Sequence, residues 1–548
     1  MPERTDLGAG LVAFAERRWD DACTLLGGAE AAAPLLLDQL EMLARAAALC
    51  GRDDEAFDAL ARTYHGYLAV EAPTDADELR AARAAFWLGY RLGSLHERGR
   101  SHAWLARSAE LANRHPGAVE HGYLLLPGIH HLLHLGDAAG SAATAAEAVA
   151  IGFRHSDAEL QALGTQLRGR ALLADGLLDA AVDAFGEAML LAADDSVTEL
   201  PRGLVYCSVL DGCQQAFAVE RAREWAEVLS DWALAQPQLL LFTGRCRVHR
   251  AELLCLGGAW QAALAEAETV IANPRAEAHE LGAANYQRGE IYRLRGEFAL
   301  AEVAYRDAND CGHDPHPGLA LLRLAEGRAD DAAAGIGRVL ATTEQSLSRA
   351  QVLPAAIEIA LTRGAIADAA ALSAELDRIA QAHPSTLLET LAVQASGLLA
   401  LADGRPADAL PQLRRAQSAW VDLDSPYYVA RVRTLLGECL SALGDGEGAR
   451  WEQTAAEAAL VRLGAAPDLA RLRAGRPAAD SRQYAITPRE LQVLRLAASG
   501  LTNKAIATEL QVSTRTVDRH MSELMRRIGV SSRVAATAYA YEHGLLGG

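Results

Sequence analysis

Lysine is almost missing from this chain of 548 residues; the only one is Lys504. A nucleotide-binding P-loop needs a lysine after its second glycine to reach the β- and γ-phosphates. Lys504 stands in no such motif, so that class of ATP site is excluded. Aromatic residues make up only 5% of the chain. Long apolar runs are also lacking: charges interrupt each one before about 18 residues, which leaves no expected membrane span. The opening Met1-Pro2-Glu3-Arg4-Thr5-Asp6 has no basic segment followed by an apolar one, so a cytoplasmic protein is expected. None of the eight cysteines has Cys-x-x-Cys spacing, which predicts packed, reduced thiols and not a disulfide framework. There is no His-Glu-x-x-His pair, no Gly-x-Ser-x-Gly elbow and no cysteine in a nucleophile signature. Neither a catalytic residue nor a cofactor is therefore expected, and the chain does not read as an enzyme. The strand–helix alternation of an α/β domain with an acidic pocket at its strand ends is missing too.

What the chain has is alanine, about a fifth of all residues, within an apolar fraction of 51%. Alanine is the best helix former and lets helices approach closely, so the composition predicts an all-α protein. The net charge of -19 is unevenly spread. Residues 484–548 hold 8 Lys+Arg against 5 Asp+Glu, or +3, which leaves -22 on the rest. An acidic body repels phosphate, so any contact with DNA is confined to the tail.

The body repeats. Glycines at 51, 136, 176, 258, 296, 327, 364, 404 and 444 each end one apolar segment, and a polar turn and an alanine-rich segment follow. Five residues after each glycine stands Ala56, Ser141, Ala181, Ala263, Ala301, Ala332, Ala369, Ala409 or Ala449. Abundance alone would put alanine at about two of these nine places. Glycine suits the left-handed residue that closes a helix, and the small residue lets the next helix press against the first. Larger residues four positions on (Leu60, Phe185, Tyr305, Leu413) and alanines three further (Ala188, Ala308, Ala416) keep one helical face.

This pattern resembles tetratricopeptide repeats, above all in Gly289-x-x-Tyr292…Gly296-x-Phe298-x-x-Ala301…Tyr305-x-x-Ala308 and in Gly169…Gly176…Ala181…Phe185…Ala188. It departs in period: several turn glycines lie 37 to 40 residues apart, against 34 in the family. The stretches near 94 and 217 have no clean turn glycine. Irregular hairpins with lengthened helices are expected. The resemblance implies a solenoid whose concave side takes a protein, peptide or small-molecule effector.

Residues 474–483 are small, polar and proline-bearing, and read as a linker between a repeat domain, 1–473, and a tail domain, 484–548. In the tail, Thr487, Pro488 and Glu490 predict a capped helix start, with Leu491, Leu494 and Ala498 on its inner face and Gly500 as its stop. Thr502 caps a second helix that buries Ile506 and Leu510, and Gln511-Val512 makes a tight turn. Ser513 caps a third helix, about 514–528, with Val517, Leu524 and Ile528 inward and Gly529 as its stop. A fourth, 534–543, ends at Gly544, with Ala535, Ala538, Tyr539 and Leu545 available for packing. Two short helices joined by a tight turn, the second with Arg515 and Arg519 near its start, suit insertion into a major groove.

Four blocks carry a further resemblance: Thr487-Pro488-Arg489-Glu490, Gly500-Leu501-Thr502-Asn503-Lys504-x-Ile506-Ala507, Ser513-x-x-Thr516-Val517-x-x-His520 and Gly529-Val530-x-Ser532-Arg533. Their order and spacing resemble the four-helix, helix-turn-helix domain of bacterial LuxR-type regulators. The resemblance implies sequence-specific binding of double-stranded DNA in transcription regulation. It places Thr514, Arg515, Thr516 and Val517 at the start of the recognition helix, behind Ser513. Asp518, Arg519 and Ser522 fall at base-facing positions, and Lys504 and His520 at phosphate-contacting ones. Many family members have lysine where this chain has Asp518. A carboxylate there either accepts from cytosine N4 or orients Arg515 or Arg519. The last helix often supports a homodimer in that family, which implies paired half-sites; closing the small core is the other reading of it. Two histidine groups, His130 with His131 and His134, and Cys311 with His313, Asp314 and His316, lack zinc-motif partners and are expected to hold no metal.

Overall fold

The computed structural model describes residues 3–475 apart from Pro237 and Arg275, and residues 487–542 apart from Gly529 and Ser531. Most of the expected linker (476–483), and Gly529, His543, Gly544 and Leu545, lie outside the described residues. Among these residues there are 29 helices and no strand. The chain divides into two compact units, Met1–Asp468 and Leu469–Gly548.

The first unit is an array of helical hairpins. Twenty-four helices pair in sequence as 3–32, 37–68, 75–112, 120–155, 158–192, 199–234, 243–271, 278–310, 318–342, 346–382, 386–422 and 426–463, and Ala466–Ala474 follows. First helices run from 8 residues (Gly318–Ala325) to 20 (Asp75–Ser94), which is the irregularity expected from the uneven period. All nine turn glycines have positive φ, from +71° at Gly51 to +86° at Gly444. The other three hairpin turns use Arg17, His96 and Phe217, at φ 59°, 62° and 58°. The stretches near 94 and 217 therefore do turn, through side chains that accept the left-handed region and so escape a search for glycine.

The small residue survives where the glycine does not. Five positions after Arg17, His96 and Phe217 come Ala22, Ser101 and Ala222, and all twelve residues at this place are buried. A second regularity faces it. A glycine in the first helix meets a larger side chain sixteen residues later in the second: Gly10 with Leu26, Gly89 with Leu105, Gly169 with Phe185, Gly289 with Tyr305, Gly397 with Leu413, Gly437 with Gln453. A Cβ on Gly169 would stand 2.5 Å from the Phe185 ring, and one on Gly289 2.7 Å from Tyr305. These are holes for knobs, cut by deleting a methyl group.

The array also coils onto itself. Trp19 Nε1 donates to Gln236 Oε1 at 3.1 Å in the buried interior, and the Leu240 and Leu241 amides both donate to the Leu49 carbonyl. Arg91 pairs with Glu277 at 3.0 Å, His383 Nδ1 donates to the Gly176 carbonyl at 2.9 Å, and Ser385 Oγ donates to the Phe217 carbonyl at 3.0 Å. The hydrogen-bonded side-chain contacts join residues 168 to 217 apart. About five hairpins therefore complete one superhelical turn, and successive turns touch. One apolar cluster runs accordingly from Ala13 to Ala59 and on to Ala350–Ala395.

Candidate nucleic-acid interface

The second unit places four described helices after its first segment: Pro488–Ala498, Asn503–Glu509, Thr514–Arg527 and Arg533–Glu542. The first begins with the expected reciprocal cap. The Glu490 amide donates to Thr487 Oγ1 at 3.2 Å, and the Thr487 amide donates to Glu490 Oε2 at 2.8 Å. Thr502 and Ser513 cap the next two helices by accepting from the Ala505 and Thr516 amides. Gln511, at φ 54°, makes the tight turn, and the Val512 amide closes it by donating to the Ala507 carbonyl.

The core between them consists of Val493, Leu494, Ala497, Ile506, Ala507, Val517, Met521, Leu524, Ile528, Ala536 and Ala540. Two expected faces are rotated. The first helix buries Val493, Leu494 and Ala497, while Leu491 and Ala498 are only half-buried. The fourth packs through Ala536 and Ala540, with Ala535 half-buried. In each case a one-residue shift moves the buried stripe by about 100°.

What remains outside is the tip of the third helix. Ser513, Thr514, Arg515, Asp518, Arg519 and Ser522 are exposed, as is Lys504 on the second helix; Thr516 and His520 are half-buried. Among the described residues no carboxylate pairs with Lys504, Arg515 or Arg519, so three cationic side chains around the tip are uncommitted. Helix turns of this width with free guanidinium groups fit a major groove.

Residues 485–540 match the family of bacterial regulatory proteins described as the luxR family. This tail is a LuxR-family helix-turn-helix. It is 49% identical over 57 residues to a nitrate/nitrite response regulator protein homolog of Haemophilus influenzae, covering 10% of this chain and 27% of the relative. It is 52% identical over 52 residues to the nitrate/nitrite response regulator protein NarP of Escherichia coli, covering 10% and 24%. The chain thus spans about a quarter of the length of the curated relatives it matches. Among solved structures, a chain of the APC/C hetero-tetramer Cut9-Hcn1 aligns over 98% of this chain and 96% of its own, at 12% identity and a TM-score of 0.36.

Within the LuxR-family domain Val517 is fully buried, facing inward with Leu524 and Ile528 as expected, so of the residues at the start of the recognition helix it anchors the helix and its side chain is closed to DNA. One expectation is corrected. Asp518 does not orient Arg515 or Arg519; its Oδ1 accepts from Asn503 Nδ2 at 2.7 Å. Asn503 Oδ1 in turn accepts from Arg533 Nη1, and Arg533 Nη2 donates to the Leu501 carbonyl. Arg489 Nη2 likewise donates to the Leu510 carbonyl at 2.9 Å and ties the first helix to the end of the second. Asn503, Arg533 and Arg489 all stand in the quoted sequence blocks, but their roles needed coordinates, since the four bonds span 15 to 32 residues.

The histidine groups of the body are engaged locally. The Tyr90 hydroxyl and His130 Nε2 share a hydrogen bond of 2.9 Å. His316 Nδ1 donates to Asp314 at 2.8 Å, and the His313 ring lies against Tyr286. Among the described residues no three histidine, cysteine or carboxylate side chains converge as a metal site, and no helix is long and apolar enough to cross a membrane.

Proposed function

We propose that the chain is a transcription regulator that binds double-stranded DNA sequence-specifically through residues 484–548, under the control of an effector on the repeat body, 1–473, across a linker at 474–483. The observation that carries this reading is the exposed tip at 513–522, with Arg515 and Arg519 unpaired beside Lys504. Arg515 and Arg519 face base edges with Asp518 and Ser522 beside them. Ser513, Thr514, Thr516, His520 and Lys504 hold the phosphates. A protein, peptide or small molecule bound to the array changes its pitch and so the presentation of the tail. An open cleft of about 370 Å³, lined by Ser346, Arg349, Arg378 and His383, lies on the seam where His383 meets Gly176, a place where occupancy would act on pitch. A homodimer reading paired half-sites completes the scheme.

A mobility-shift assay against genomic fragments tests it. Lys504→Ala should weaken all fragments evenly and flatten the salt slope by about one. Arg519→Ala should instead cost ~1–3 kcal/mol of discrimination at particular base pairs. If both variants bind as the wild type does, the contact assignment is wrong. The carboxylate of Asp518 favours a second reading, a protein-binding scaffold whose tail has lost useful DNA affinity; that protein would show no preference above competitor DNA.

A further inference from the structure

Asp518 stands at a base-facing position of the recognition helix, where its negative charge works against a polyanion. Its surroundings suggest another task. Asn503 is the first residue of the second helix, Asp518 lies in the second turn of the third, and Arg533 opens the fourth. The three side chains form one chain of hydrogen bonds, Asp518–Asn503–Arg533, which ends on the Leu501 carbonyl. The order of charges leaves the Asn503 amide one orientation. Its NH₂ group must face the carboxylate, which only accepts, and its oxygen must face the guanidinium, which only donates. Turning the amide over would oppose like to like at both ends.

The core supplies the reason such a tie is useful. The recognition helix is held from beneath by Val517, Met521 and Leu524, an apolar contact that resists lifting but not small rotations. Asp518 follows Val517 directly and lies off that buried stripe, so a bond from it to the second helix resists rotation about the helix axis. Rotation is the movement that carries Arg515 and Arg519 from one base edge to another.

We propose that Asp518 is a positioning residue for DNA reading, which locks the rotation of the recognition helix through Asn503 and Arg533, and that it reads no base itself. This rests on the DNA-binding function proposed above, and the experiment separates the two. The full chain is incubated with a pool of random-sequence duplexes, and the base preferences of the selected fraction are compared for wild type, Asp518→Asn, Asp518→Ala and Asn503→Ala. Hydrogen exchange of amides 513–518 is followed in the same four proteins without DNA.

Asp518→Asn retains an acceptor for Asn503 and removes the charge. It should keep the wild-type preferences and tighten binding to every sequence by a common factor of about two to five. Asp518→Ala and Asn503→Ala break the same tie from its two ends. They should resemble each other, with preferences flattened across the whole site and faster exchange at 513–518. A changed preference at one base pair in both Asp518 variants, with Asn503→Ala like the wild type, would make Asp518 a base reader and overturn the proposal. So would unchanged exchange in Asp518→Ala and Asn503→Ala, a result that needs no DNA. A wild type that selects no sequence, but whose two alanine variants exchange faster, would refute the DNA-binding reading and leave the lock standing.

Discussion

At Gly404 the backbone has φ +73° and nothing lies within reach of an added Cβ, so a methyl group there meets strain alone. Gly404→Ala should therefore destabilise the protein by about 1 kcal/mol, the left-handed penalty less the entropy removed from the unfolded chain. His96 already bears that penalty at the equivalent turn and is exposed, so His96→Gly should be neutral or slightly stabilising. Thermal unfolding of the two variants checks both signs. Two titratable residues on neighbouring turns of Thr243–Leu256 make a further pair of opposite sign. Burial, with Asp211 nearby, pushes the Glu252 pKa up to about 7, although its side chain still reaches water. Burial takes His249 down to about 4 against the pull of Asp211. A raised carboxyl favours the protonated form, so its contribution is whole below 4.5 and is lost as pH rises through 7. A lowered imidazole favours the neutral form, so its contribution is whole above 6.5 and is lost as pH falls towards 4. Melting temperature followed against pH should show Glu252→Gln gaining on the wild type as pH rises through 7. His249→Gln should gain on it only as pH falls below 6.5.

At the scale of the element, the recognition helix depends on its first turn. Ser513 Oγ accepts from the Thr516 amide at 3.1 Å and shares a second hydrogen bond with Thr516 Oγ1 at 2.7 Å. Ser513→Ala should cost about 1 kcal/mol, concentrated in that turn. Amide exchange at 514–516 should quicken several-fold while the capped start of Pro488–Ala498 is unaffected; equal protection in the variant would show the cap to be idle. The caps at Thr487, Thr502 and Ser513 were all legible in the chain, because a cap is a contact over three residues. The rotated faces of Pro488–Ala498 and Arg533–Glu542 were not. Leu491 and Val493 are equally apolar, and the helix that covers them decides which one turns inward. The inward face of the third helix was legible, since Val517, Leu524 and Ile528 stand at helical spacing, and burial beside Met521 takes Val517 out of reach of DNA.

At the scale of the molecule, the repeat unit is held by contacts that skip whole superhelical turns. Trp19 is almost fully buried, and its indole N–H has Gln236 as its partner. Gln236→Leu should leave that donor buried and unpaired, at a cost of about 1–3 kcal/mol. It should also speed proteolysis in the segment around Gln236 that clips one turn to the next, measured under native conditions; an unchanged cleavage rate would show the clip to be held by its other bonds, Gln238 with the Asp20 and Asp21 amides and the Leu49 carbonyl with the Leu240 and Leu241 amides. The hairpins were readable from the chain alone, because a turn glycine, a small residue five places on and a helix cap are all local and recur often enough to stand out. The sequence marked the LuxR-family tail for the same reason, and it placed the net positive charge on that tail. Packing in three dimensions was needed to show that about five hairpins close a turn, that Arg17, His96 and Phe217 replace glycine, and that Asp518 points to Asn503. Those outcomes depend on partners 15 to 217 residues away or on strain that packing overrides, and neither leaves a periodic trace in the chain.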